Sequence, residues 1–427
     1  MRAAHIVHPL LTQTLGEDVA IRVTCWDGSE AGPADAALRL RLTRRRALRR
    51  LLWSPNELGF ARAYVSGDLD IDGDLYSGLS QLERIVSSGY GAELAKDPTT
   101  KRTVVAAAFR LGGIGPPPRP PAEEVTLRGR QHSLRRDSEA ITHHYDVGNE
   151  FYELVLGPSM TYSCGYWASD AGTDPLTAAQ YAKCDLVAAK LALGSGSRVL
   201  DVGCGWGTFV IHAAREYGTR AVGVTLSQEQ AEYARKWVAD EGLDELVEIR
   251  VQDYRDIDDG PFDAISSIGM AEHVGMAMLP TYAADMYKLL APQGRLLNHA
   301  ISRRPGGTQH TSKTSFIGRY VFPDGELEPL GVMVGSLEEA GFEVRDVESL
   351  REHYALTLRA WVTNLEHHWD KAVQLTTTGR ARVWRLYMSA CALAFQTGRI
   401  GINQTLAIRP GDRGRSGMPR TRGGVFS

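Results

Sequence analysis

A short apolar run that breaks into three glycines two residues apart, RVLDVGCGWG from Arg198 to Gly207, constrains this chain more than any other stretch. An aliphatic, β-branched run of this length reads as a buried parallel strand. The glycines let the backbone turn sharply and approach a ligand more closely than a residue with a Cβ could. The residues that follow, Thr208 to Tyr217, carry apolar groups at helical spacing. The unit is therefore strand, tight turn and helix, with the helix N-terminus aimed into a crevice at the carboxyl ends of the strands. That is the site of a nucleotide cofactor.

Spacing separates the candidate cofactors. A dinucleotide fingerprint is G-x-G-x-x-G, with an acidic residue about 20 positions on that holds a ribose. Here Gly203, Gly205 and Gly207 are spaced G-x-G-x-G, and the next strand, Arg220 to Thr225, runs into Leu-Ser-Gln without Asp or Glu. Asp201 precedes the loop. In full, VLDVGCGWG resembles the S-adenosylmethionine loop of class I methyltransferases, whose ligand has no pyrophosphate for the helix to cradle. A merely tight turn is the poorer account, because three glycines cost backbone entropy without packing anything.

With 427 residues and 43% hydrophobic side chains, the chain can build two domains with substantial cores. A net charge of -3 gives no general attraction to nucleic acid, which is excluded as a partner. Seven arginines between Arg39 and Arg50 are interleaved with leucines at helical spacing. They read either as a solvated basic helix or as a patch that meets lipid phosphates. No run of eighteen apolar residues exists to span a membrane, and the first residues, without a long apolar core or a clean small-residue cleavage site, are not expected to act as a signal peptide. The five cysteines (Cys25, Cys164, Cys184, Cys204, Cys391) show neither pairing pattern nor CxxC, which points to a reduced, cytoplasmic protein without structural zinc.

One composition break divides the chain. Leu111 to Arg136 holds five prolines between Pro116 and Pro121, which reads as an extended, semi-rigid connector. The expected division is an N-terminal domain over 1–110, a linker over 111–136, a catalytic domain over 137–405 and a disordered basic tail over 406–427. In the catalytic part, strands are expected near 198–203, 220–225, 247–252, 263–268 and 295–301 with helices between them. That alternation implies an α/β fold with a doubly wound, mostly parallel Rossmann-like sheet. Beyond 305 the pattern turns irregular, then helical from about Leu356 to Phe395.

Eight motifs, the glycine loop among them, fall in one order: HHYDVGNEFY (143–152), MTYSCGYW (160–167), VLDVGCGWG (199–207), GVTLSQEQ (223–230), GMAEHVG (269–275), NHAIS (298–302), YVFPDGEL (320–327) and HYALTLRAW (353–361). By these, the chain resembles the cyclopropane-fatty-acyl-phospholipid synthases and the related mycolic-acid methyltransferases over nearly its whole length. GFARAYVSGDLDIDGDL (59–75) is similar to the extra lipid-binding domain of the phospholipid-acting branch.

The resemblance implies S-adenosylmethionine-dependent transfer of a methylene group onto the cis double bond of phospholipid acyl chains. It implies Tyr145, Gly203, Gly205, Thr225, Leu226, Gln230, Asp253 and Tyr254 around the cofactor, with Asp201 and Gly207 completing the loop. Asp253 would accept from the adenine amine, Tyr254 would stack on the base, and Gln230 would bond the ribose or the methionine end. Methyl addition leaves a cation on the chain, so a base is needed that does not capture it. In the family that base is a bound bicarbonate, here held by Cys164, Glu272, His299, the backbone of Ile301, and Tyr354. Tyr162, Tyr166, Trp167, Phe316 and Tyr320 would offer ring faces to the cation.

His273 beside Glu272 does not make a metal pair, because adjacent side chains point apart. Cys391, in SACALAF, matches a cysteine treated as a nucleophile in the family, yet its apolar helical setting equally suits packing. Ala271 and Ala300 stand where the family has larger residues, which leaves a methylene- or methyl-branched product open beside the cyclopropane. Partners implied are phospholipid acyl chains and, peripherally, the inner face of the cell membrane; a homodimer stays open.

Overall fold

Where leucine and arginine alternate, from Leu38 to Leu42, the computed structural model has a strand rather than the expected helix, and burial alternates with the same period of two. The structure describes residues 2–15, 20–87, 98–125, 147–168, 172–306, 315–323 and 325–425. They divide into two units. The first comprises Met1–Thr126, His310–Pro323 and Trp369–Leu393; the second comprises Leu127–Gln309, Asp324–His368 and Ala394–Ser427.

The first unit carries a four-stranded sheet of β1 (Ile21–Cys25), β2 (Glu30–Ala31), β3 (Leu38–Leu42) and β4 (Leu69–Ile71), in the order β2-β1-β3-β4. Only the second half of the arginine run is helical, over Arg46–Trp53. Its charges turn inward. The fully buried carboxylate of Asp68 accepts from Arg46 Nε at 2.8 Å, Arg50 Nε at 2.9 Å and Ser66 Oγ at 2.9 Å. Arg44 and Arg45 stay exposed.

The proline-rich stretch belongs to this unit and is not a connector beyond it. Arg50 donates to the Arg119 carbonyl, Trp53 Nε1 to that of Gly115, and Glu124 binds Arg62 through two 2.7 Å bonds. Residues 126–136 of the expected linker and 137–146 of the expected catalytic domain lie outside the described residues. The chain also returns to this unit late: Arg382 donates to the Tyr64 carbonyl at 2.7 Å and lies over its ring at 4.0 Å. A division read along the sequence misses such returns, because they are contacts between segments hundreds of residues apart.

In the second unit β5 (Arg198–Val202), β6 (Arg220–Thr225), β7 (Val247–Val251), β8 (Phe262–Ile268) and β9 (Leu290–Arg303) run parallel, close to the expected strands. Two more strands had no expectation, β10 (Glu343–Ser349) and β11 (Ile400–Ile408). The order is β10-β11-β9-β8-β5-β6-β7, with β11 antiparallel to both neighbours. The sheet is thus mixed. Apolar residues adjacent on one strand go to different cores: Leu200 and Leu296 to one, Val199 and Leu297 to the other. Both faces are therefore covered, as a doubly wound sheet requires.

The expected disordered tail over 406–427 begins inside β11. Leu406, Ala407 and Ile408 are fully buried, and Arg409 donates to the Leu290 carbonyl at 2.6 Å with its guanidinium 4.8 Å over Tyr287. The Gly/Arg-rich composition hid this, since its first residues are held by strand pairing rather than by their own propensity. Among the described residues no helix is long and apolar enough to cross a membrane.

Replacing Asp68 by Ala leaves the buried Arg50 guanidinium without its carboxylate. The expected cost to the first unit is about 3–5 kcal/mol in urea unfolding. A loss below about 1 kcal/mol would mean that water replaces the carboxylate at no cost.

Candidate active site

The cofactor loop is built by strand ends. After β5 the amides of Gly203 and Cys204 both donate to the Val224 carbonyl of β6, at 3.0 and 2.9 Å, folding the chain over the sheet. Gly203 has φ +80°, and a Cβ there would lie 2.5 Å from Met270 Cγ. Gly205, at φ +56°, faces open space. A cradle is thereby left above the carboxyl ends of β5 and β6, and Gly207 opens the helix Thr208–Tyr217 without a side-chain cap. An adenosyl cofactor fits such a cradle.

The other expected cofactor residues gather at these ends with different partners. Asp201 is buried and accepts from Ser266 Oγ of β8 at 2.6 Å; burial pushes its carboxyl up to about 6. It ties two strands together. Thr225 Oγ1 donates to Gln230 Oε1 at 2.9 Å, Ser227 caps the helix Gln228–Asp240, and Leu226 is exposed beside them. Asp253, after β7, accepts from Arg255 at both its oxygens, at 2.8 and 2.5 Å. Tyr254 sets its ring edge-on to Tyr282 at 5.7 Å. Tyr145 lies outside the described residues.

Glu272 stands on the short helix Ala271–Val274 that follows β8. Gly269 donates to the His299 carbonyl at 2.9 Å, and one step on, Ile301 N–H donates to Glu272 Oε1 at 2.7 Å. The side chain thus continues the ladder beyond the end of β8. Glu272 Oε2 is buried without a partner among the described residues, and burial pushes the carboxyl up to about 7. The backbone of Ile301 was expected to help hold an anion; its N–H here donates to Glu272. Beside Glu272 is a small cavity lined by Ala271, Asn298, Ala300, Ser302 and Thr405, so both alanine departures lie on its wall.

His299 faces Gln404 across β9 and β11, with Nδ1 3.2 Å from the amide nitrogen and Nε2 buried without a partner among the described residues. Burial, then Lys183 and Lys190, push the imidazole down to about 3, so it is neutral. Cys164 Sγ donates to the carbonyls of Gly165 and Leu350, at 3.2 and 3.7 Å, and burial holds it as a thiol. The Leu350 carbonyl also accepts from Tyr354 N at 3.1 Å, while Leu350 N donates to Ile402, which lies opposite Ile301. Cys164, Tyr354, Ile301 and Glu272 are therefore strung along one bonded path, with His299 two residues away on β9.

Other expected residues are elsewhere. Cys391 belongs to the first unit, on the helix Thr378–Gln396, and so do Phe316 and Tyr320. Tyr320 donates to Glu124 at 3.1 Å. Tyr162 stacks on Trp361 at 5.3 Å, and Tyr166 on His353 at 4.9 Å. Gln404, Lys190, Ser266 and Met270 drew no attention in the sequence. Only an assignment of β11 as a strand paired to β9 could have placed Gln404 beside His299.

The strand order, the single antiparallel strand and the glycine turn at the switch point define a class I S-adenosylmethionine-dependent methyltransferase. Residues 132–405 match the family described as mycolic acid cyclopropane synthetase. A probable fatty acid methyltransferase of Mycobacterium tuberculosis is 43% identical over 415 residues, 93% of each chain. The cyclopropane-fatty-acyl-phospholipid synthase of Escherichia coli K12 is 38% identical over 273 residues, 64% of this chain and 68% of that one. The solved mycolic acid cyclopropane synthase CmaA1, complexed with SAH and CTAB, is 31% identical with a TM-score of 0.59, covering 64% of this chain and 98% of that one. The chain belongs to the mycolic acid cyclopropane synthetase family.

Because the folded Glu272 carboxyl keeps its proton to about pH 7 and an unfolded one releases it near about pH 4.3, this group stabilises the fold fully only at low pH. The contribution is lost as pH rises through about 7. Glu272→Gln, uncharged throughout, is expected to melt above wild type at about pH 8, by up to about 3 kcal/mol, with the gap closing below about pH 5. A gap independent of pH would contradict a buried, protonated carboxyl.

Proposed function

We propose that this enzyme adds a methylene group from S-adenosylmethionine across the cis double bond of phospholipid acyl chains, giving a cyclopropane, with bound bicarbonate as general base. One observation carries the reading: a buried carboxyl oxygen of Glu272 and a buried ring nitrogen of His299 have no partner among the described residues. Glu272 Oε1 accepts an amide proton, so at neutral pH the carboxyl's own proton belongs on Oε2, where it is a donor. A protonated carboxyl and a neutral imidazole suit a small anion better than a cation or a metal. A carboxyl that keeps its proton is also slow to trap a carbocation as an ester.

Bound S-adenosylmethionine supplies an electrophilic methyl group, and bound bicarbonate a base that leaves no adduct on the protein. Glu272, His299 and Tyr354 would hold the anion, with the backbone N–H of Ile301 acting through Glu272. An alkene is a weak nucleophile, so the burial of these groups matters as much as their chemistry: it keeps water from the cation. A second reading, a methylene- or methyl-branched product, is favoured by the alanines on the cavity wall and by the name of the mycobacterial relative.

The first unit suits a lipid surface. Trp53, Val105, Phe109 and Ile114 are more than half exposed, and Arg44, Arg45, Arg102 and Arg110 are exposed around them in sequence. Aromatic side chains that enter an interface beside arginines that meet phosphate form a peripheral membrane contact, here with the inner face of the cell membrane. The name of the Escherichia coli relative and the detergent-like CTAB in CmaA1 agree with a lipid substrate.

Lipids from a host that expresses the chain, fed a methyl donor with three deuterons, separate the products. A cyclopropane keeps two deuterons and shows upfield ring protons; a methylene branch keeps two without them; a methyl branch on a chain that loses its own proton, and so keeps a double bond, keeps all three. In carbonate-free buffer the purified enzyme should slow, and added bicarbonate should restore it. Unmodified lipids would sink the reading, and full activity without carbonate would pass the base to a side chain.

Vesicle binding is expected to fall with salt, each arginine near an anionic surface contributing about 1 kcal/mol. Charge reversal at Arg44, Arg45, Arg102 and Arg110, or Trp53→Ala with Phe109→Ala, should release the protein. Co-sedimentation unchanged in both variants would place membrane contact elsewhere.

A further inference from the structure

A histidine's tautomer is set by what its other ring nitrogen meets. Gln404 Nε2 lies 3.2 Å from His299 Nδ1, and the far end of the same amide is also held: Gln404 Oε1 accepts from Lys190 Nζ at 2.8 Å. Lys190 is fully buried on the helix Pro175–Leu191, donates to Glu348 Oε2 at 2.6 Å and has Asp346 at 3.8 Å. Burial lowers its pKa, but Glu348 and Asp346 oppose that and hold it as an ammonium, with three protons to give and no lone pair. It can therefore face only the oxygen of the amide.

The rest follows by elimination. The NH2 end of Gln404 is turned to His299, and an NH2 group donates. His299 Nδ1 must accept and so carries no proton, which puts the proton of the neutral ring on Nε2. Nε2 is the buried nitrogen without a partner among the described residues. Lys183, itself buried, stands with Lys190 among the charges that oppose an imidazolium.

We propose that Lys190 and Gln404 are positioning residues that lock His299 as an Nε2–H donor for a bound anionic or carbonyl oxygen, so that His299 cannot act as the base. The assignment of that oxygen to the reaction rests on the function proposed above; the lock itself does not. With Nδ1 engaged as an acceptor and Nε2 already protonated, the ring has no free lone pair. The proton lost from the new methyl group must go to another acceptor.

The test reads the tautomer directly, by 15N resonances of labelled histidine in the resting full-length enzyme, with His299 identified from its loss in His299→Asn. Wild type is expected to show a bare Nδ1 and a protonated Nε2. In Gln404→Glu the new carboxylate accepts from both Lys190 and the ring, so the proton moves to Nδ1. That variant is expected to lose about 100-fold in kcat, with KM for S-adenosylmethionine nearly unchanged. Lys190→Met frees the amide to flip and should give a mixture of both tautomers.

A wild-type ring protonated on Nδ1, or an unchanged Nε2–H in Gln404→Glu, overturns the proposal. The wild-type spectrum decides alone if neither variant folds. A wild type with Nε2–H that leaves acyl chains unmethylated would support the lock and sink the function reading instead.

Discussion

The hydrogen bond from Ile301 N–H to Glu272 Oε1 is the contact on which the site depends. β9 runs on past the end of β8, so its next amide has no strand to meet. An unpaired amide in a buried position would cost about 1–3 kcal/mol. The glutamate fills that place, and in doing so it is drawn out of water, where its carboxyl holds a proton near neutrality. A single ladder position thus sets both the location and the charge state of Glu272.

β11 does the same for the imidazole. It comes from the end of the chain, enters antiparallel against β9, and sets Gln404 opposite His299 and Ile402 opposite Ile301. Through Ile402 it receives the Leu350 amide, and Leu350 in turn holds both Cys164 and the start of the helix that carries Tyr354. Residues from four segments are brought onto one path by backbone pairing. The side chains need only be the right chemical types once the strands are in register.

Charge is used differently in the two units. In the first, the arginines that look most like a lipid-binding face are partly consumed by Asp68, whose carboxylate makes the helix Arg46–Trp53 part of the unit. The cations that remain outside are fewer and accompany exposed aromatic and aliphatic groups. In the second, Lys190 is buried among acceptors, and its charge acts on the neighbouring amide. Net charge, which is near zero, predicts neither arrangement.

Much was legible along the chain. VLDVGCGWG announces strand, turn and helix because each depends on neighbours: aliphatic period, glycine at positive φ, apolar spacing of a helix. The five parallel strands and the cofactor cradle follow from that local code, as does membership of the family. The arginine-rich strand was misread because Leu38, Leu40 and Leu42 repeat every two residues, and the helical leucines beyond them obscured it. Tertiary structure alone decided the rest: the return of 369–393 to the first unit, the burial of the supposed tail, and the Gln404–His299 pairing. These are polar and packing contacts between distant segments. Whether a carboxylate is a ligand, a strand cap or half of an ion pair depends on which backbone is brought to it, and no local pattern encodes that.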